Sequence, residues 1–127
     1  MWQAAGAEVV SMSVEHHDAV LAATSHLPHL LAYALVDMLA RLDDSREIFA
    51  YAAGGFRDFT RIASSDPVMW RDISLANREA IVKMLKQYQA EVNGLIKAVA
   101  AGDGVKLQTL FARAKAARDA LVTNDQK

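Results

Sequence analysis

Apolar residues recur at Ile81, Leu85, Tyr88, Val92, Leu95 and Val99, in alternating steps of four and three. That spacing draws one stripe along a helix of about 3.6 residues per turn. Gly102 ends the run and Asp103 is a capping residue for the next helix. There Leu107, Leu110, Ala114, Ala117 and Leu121 repeat the spacing. The two stretches predict a long antiparallel helical hairpin.

Upstream, Ser13 is an N-cap candidate, with Glu15 and Asp18 placed in the first turn to complement the helix dipole. The apolar pattern continues through Val20 and Leu21, meets Pro28, and resumes over Leu30–Leu35. Proline inside a helix forfeits a hydrogen bond, so Thr24–His29 is expected to hold a kink or break with backbone groups freed for binding. Asp44 and Glu47 form a capping-box pattern for a third helix, which Gly54-Gly55 should stop. Ser65-Asp66-Pro67 predicts another start, with proline at the first helical position. Only Ala7–Ser11 reads as a strand, and a lone strand needs partners. The expected fold is all-α, with a kinked first helix and a long C-terminal hairpin over residues 12–127.

Composition narrows the function. The chain has 127 residues, enough for one domain, and 53% are hydrophobic, enough for a core. Fourteen Lys and Arg balance fifteen Asp and Glu, which leaves no basic footprint for nucleic acid or an anionic membrane. The absence of cysteine excludes disulfides, thiolate zinc sites and a cysteine nucleophile. No apolar run approaches the roughly 20 residues that span a bilayer. Met1-Trp2-Gln3-Ala4 lacks a secretory pattern, so a cytoplasmic protein is expected.

Three clusters could carry chemistry. In Ser25-His26-Leu27-Pro28-His29, two histidines three apart could share a metal, with His16 and His17 one helix earlier. A zinc site needs three or four ligands with supporting partners, so the pattern argues against a metal. On spacing alone, the histidines satisfy a broken helix or bond a small ligand. In Gly54-Gly55-Phe56-Arg57-Asp58-Phe59-Thr60-Arg61, the glycines allow a sharp turn. Arg57 and Arg61 share a face if the stretch is helical, as forks suited to carboxylates, and Asp58 is placed to orient one of them. A solvated face with weak ion pairs is the equal alternative. In Met69-Trp70-Arg71-Asp72-Ile73, followed by Asn77, a tryptophan just past a helix start packs more often than it binds. No G-x-G-x-x-G, P-loop or nucleophile elbow is present; Gly102-Asp103-Gly104 lies between helices.

Read in order, these clusters resemble the helical dimerisation domain of the prephenate/arogenate dehydrogenase family. The match runs from about Trp2 to Asn77. It includes Gly6-Ala7-Glu8-Val9, Glu15 with His17-Asp18, Ser25–His29, Gly54–Ala63, Ser65-Asp66-Pro67 and Trp70–Ile73. The hairpin after Asn77 fits by pattern rather than by motif. Family members carry a Rossmann-like domain before the helical one, so residues 1–11 are expected to be the end of that first domain.

The resemblance implies oxidative decarboxylation of prephenate to 4-hydroxyphenylpyruvate, or of arogenate, in tyrosine biosynthesis. A hydride passes to NAD or NADP, a base takes the hydroxyl proton, and the ring carboxylate leaves as CO₂. The family's histidine base lies in the first domain, so no catalytic residue is expected here, and no cofactor bound by this chain alone. The resemblance assigns Arg61 to a substrate carboxylate, His29 to a hydrogen bond with ligand, Trp70 to the site lining and Asp58 to a supporting ionic network. It implies a homodimer, with tyrosine as a possible inhibitor, and the apolar hairpin stripes independently call for a partner. A stand-alone, non-catalytic helical dimerisation or ligand-sensing module is the competing reading.

Overall fold

The structure, a computed structural model, describes residues 12–125. The strand expected at Ala7–Ser11, and the whole 1–11 segment, lie outside the described residues. Those described are helices joined by short turns, without a strand among them. They fall into two compact units, one ending at Leu85 and one beginning at Lys86.

The first unit opens with α1 (Val14–Leu21), where Ser13 Oγ accepts the His16 N–H at 3.1 Å. Glu15 lies in the first turn as expected; Asp18 lies just beyond it. A π turn (Ala22–His26) then leads directly into α2 (Leu27–Ala40), so the helix runs on from Val14 to Ala40. The kink expected near Pro28 takes this form rather than a break. Pro28 falls in the first turn of α2, where its missing N–H costs little, and the widened turn before it lets the Leu27 N–H reach the Ala22 carbonyl.

This continuity corrects one expectation. The 27-residue helix contains an 18-residue window of mean hydropathy 1.4, long and apolar enough by length and composition to cross a bilayer. Treating Pro28 as an interruption hid it. Only 17% of that window is buried within the chain. α2 nevertheless packs on the elements that follow it.

α3 (Ser45–Ala50) starts where expected, but Asp44 makes no side-chain cap. Its backbone (φ −97°, ψ 21°) is not the extended conformation that aims a capping oxygen at the helix. The Gly54-Gly55 pair was expected to end this helix; instead α3 ends at Ala50 and the glycines begin α4 (Gly54–Thr60). A tight 3-10 turn (Arg61–Ser64) follows, and α2 packs against both. α5 (Pro67–Ala76) has Asp66 as its N-cap, accepting the Val68 N–H at 3.0 Å.

α6 (Arg78–Ala100) and α7 (Gly104–Asp125) are the two predicted helices of the hairpin. Gly102 turns the chain at φ +64°, a left-handed conformation that favours glycine. Asp103 Oδ1 then accepts the Lys106 N–H at 3.0 Å. In the second unit, Leu95, Ala98, Leu107 and Leu110 line a groove of about 350 Å³ between the helices.

The core is small. Among the described residues, the buried apolar side chains are Ala22, Ala32, Trp70, Ile81 and Ala98. Val92, Ile96, Val99, Phe111, Leu121 and Val122 all stay exposed along the hairpin.

Candidate ligand-binding site

Trp70 is the centre of the first unit, only 7% exposed. The N-cap at Asp66 sets the start of α5 and puts Trp70 one turn in. His29, on α2, lies flat on its ring with centroids 3.8 Å apart and planes 16° from parallel. His26, in the π turn and 9% exposed, meets the same ring edge-on at 5.9 Å and 79°. The indole Nε1 is buried and finds no acceptor among the described residues. Its orientation therefore depends on its ring neighbours rather than on a hydrogen bond.

Each histidine has a fixed partner. His29 Nδ1 is 2.9 Å from the Ser25 carbonyl oxygen, one turn back. A carbonyl only accepts, so Nδ1 carries a proton and donates it, leaving Nε2 as the acceptor in the neutral ring. His26 Nδ1 is 3.2 Å from Asn77 Nδ2, and that amide also donates to the Asp18 carbonyl at 2.9 Å. Burial lowers the His26 pKa below its ordinary value; the neighbouring His29 lowers it further, and Asp18 pulls the other way. With both Nδ1 atoms engaged, the pair is not arranged as a chelate. Among the described residues no three His, Asp or Glu side chains gather as a metal site.

α2 also supplies Tyr33, one turn beyond His29, whose hydroxyl donates to the Ser65 carbonyl at 2.6 Å. This bond pins α2 to the end of the 3-10 turn that begins at Arg61. Leu30, Tyr33, Pro67, Trp70, Arg71 and Ser74 enclose a shallow, largely apolar cavity of about 200 Å³. Arg61 is exposed at the start of its turn, and Asp58 is exposed on α4. Neither makes an ion pair or a side-chain hydrogen bond among the described residues. The structure thus joins His29 on α2 to Trp70 on α5 directly and ties α2 to the end of the turn of Arg61. It does not join Asp58 to either arginine.

Sequence reasoning missed Tyr33, Asn77 as a bridge, and the burial of His26. Tyr33 had a local signal, since it lies one turn from His29 on the same helix. Asn77 had none, because its partner Asp18 is 59 positions away.

The fold and this cluster define a helical domain with a histidine–tryptophan stack at its centre and much apolar surface uncovered. Residues 13–113 match the model of the family described as prephenate dehydrogenase, dimerization domain. The chain belongs to that family. It is 42% identical to a cyclohexadienyl dehydrogenase from Zymomonas mobilis, over 97% of this chain and 43% of the relative. It is 40% identical to a Bacillus subtilis prephenate dehydrogenase, over 91% of this chain and 31% of that one. The chain thus spans less than half the length of these relatives. Among solved structures it is similar to prephenate dehydrogenase from Aquifex aeolicus, crystallised with hydroxyphenyl propionate and NAD+ (TM-score 0.83, 40% identity, 90% of this chain and 40% of that one). A Synechocystis arogenate dehydrogenase superposes at TM-score 0.87 with 25% identity, covering 92% of this chain and 43% of that one.

Proposed function

We propose that this chain is the substrate-side and dimerising domain of a cytoplasmic enzyme that oxidatively decarboxylates prephenate or arogenate. The observation that carries the reading is the His29–Trp70 stack at 3.8 Å between α2 and α5, with α2 tied through Tyr33 to the end of the turn of Arg61. A flat apolar wall, a ring nitrogen free to accept, and an unpaired guanidinium suit a cyclic ligand bearing a hydroxyl and a carboxylate. Hydroxyphenyl propionate, bound by the Aquifex enzyme, has that make-up. In this reading Arg61 holds a substrate carboxylate, His29 bonds the ligand, Trp70 lines the site, and Asp58 belongs to a supporting ionic network. Residues 1–11 would be the end of the preceding nucleotide-binding domain.

In the whole enzyme a nicotinamide nucleotide accepts the hydride. The described residues of this chain do not fit it. A dinucleotide site needs a strand, a glycine-rich turn and a helix N-terminus over the pyrophosphate. Gly102-Asp103-Gly104 instead joins two helices, and no described strand precedes either glycine pair. The chain contributes binding and orientation, and the base and the nucleotide belong to the rest of the enzyme.

The test is to fuse the chain to a family nucleotide-binding domain and follow reduced nicotinamide and CO₂ with prephenate or arogenate. Turnover of one of them is expected, while calorimetry of the 127-residue chain should detect no NAD or NADP binding. A fused protein that binds substrate yet never turns it over would favour a ligand-sensing module.

A further inference from the structure

The amide of Asn77 touches two things at once. It ends α5 with a non-helical backbone (φ −114°, ψ 37°), which turns its side chain away from the helix ladder. Its Nδ2 donates to the Asp18 carbonyl on α1, and this bond fixes which end of the amide is nitrogen. Flipping the amide would set its oxygen against the carbonyl oxygen, two acceptors face to face. The second hydrogen of the same nitrogen points at His26 Nδ1, which must therefore present a lone pair. A neutral imidazole has one donor and one acceptor, so the His26 proton is on Nε2. His29, three residues on, carries its proton on the opposite nitrogen, donating from Nδ1 to Ser25.

We propose that Asn77 is a positioning residue, locking His26 in the neutral Nε2–H form and through it holding the Trp70–His29 stack. The functional consequence rests on the reading of Trp70 and His29 as ligand-binding residues; the geometry does not. Trp70 has no acceptor for its buried Nε1 among the described residues, so its ring is held by the stacked ring of His29 and the T-shaped contact with His26. A proton added at His26 Nδ1 would set one N–H against another, and Asn77 would have to release either His26 or Asp18. The titratable groups that face His26 are Asp18 on α1, which favours that proton, and His29 on α2, which opposes it. From α5 the neighbours are Trp70 and Asn77, neither of which titrates in this range.

Nitrogen-15 NMR of the histidine rings in the 127-residue chain tests this without any substitution. His26 should show an unprotonated Nδ1 and a protonated Nε2 at neutral pH, and His29 the reverse. Stacking on Trp70 shifts the carbon-bound ring protons of His29 upfield. On acidification that shift should collapse as His26 takes up its proton. Asn77→Ala, with helicity checked by circular dichroism, should mix the His26 tautomers and lose most of the His29 shift. Asn77→Asp should raise the His26 midpoint, because a carboxylate accepts from Nδ1–H. A protonated Nδ1 on His26 at neutral pH overturns the proposal, as does a His29 shift that ignores the His26 titration. Those outcomes leave the proposed activity standing, which substrate kinetics decide separately.

Discussion

Arg61 is exposed and makes no ion pair among the described residues, so replacing it should leave the fold intact. That makes it a clean probe. If it grips a substrate carboxylate, Arg61→Ala removes a charge-assisted contact worth about 1.5–3 kcal/mol. In the chain fused to a family nucleotide-binding domain, the substrate KM should rise roughly ten- to several-hundred-fold, with the nicotinamide KM nearly unchanged. Arg61→Lys should recover only part of the loss, since an ammonium keeps the charge without the fork. An unchanged substrate KM in Arg61→Ala would remove it from the site. His26 makes a prediction of the opposite kind, about stability. Its pKa in the folded chain lies below the ordinary value of 6.5. Well above 6.5 the ring is neutral in both states and pH has no hold on it. As pH falls through 6.5, the unfolded chain takes up the proton first, so stability drops until the folded pKa is passed. Urea melts between pH 7.5 and pH 5 should show this slope, and His26→Gln, which keeps an amide but cannot titrate, should flatten it.

Among the elements, those that the sequence specified best have local chemical ends. Ser13 and Asp103 each cap the helix they are expected to cap, and Asp66 caps the helix that its Ser65-Asp66-Pro67 signal starts, because a capping oxygen needs only the next two or three residues. The 81–99 stripe likewise gave the long helix of the hairpin, since amphipathic periodicity is read within one segment. Two failures share a cause. Asp44 lacked its expected cap, and Gly54-Gly55 began a helix rather than ending one. Asp44 and Gly54-Gly55 stand at the starts of short helices that pack on α2, where tertiary contact competes with local preference. Arg61, His29, Trp70 and Asp58 stand out as candidates only through several motifs taken in order, since each alone had a bland reading; of these the structure brings His29 and Trp70 together. The Asn77 bridge was illegible, because nothing near residue 77 encodes a partner on α1. The hairpin turn offers a simple test of the local rules. Gly102 sits at φ +64° with open space around a would-be Cβ, so Gly102→Ala meets backbone strain alone. It should cost roughly 1–2 kcal/mol and lower the melting temperature. Gly104→Ala, with equal space and no positive φ, should be neutral or slightly stabilising.

At the scale of the molecule, few apolar residues are buried among those described, while Val92, Ile96, Val99, Phe111 and Leu121 stand open along the hairpin. Large apolar surfaces of this kind mark association sites, and the family is named for a dimerization domain. Light scattering at micromolar concentration should return about twice 13.9 kDa. A persistent monomer would count against the dimer. If the hairpin finds its cover in a second copy, dilution becomes a denaturant. The melting temperature should then climb with protein concentration, each tenfold step adding about 1.4 kcal/mol per mole of dimer. A chain so built is least secure when newly made and scarce, before its twin exists.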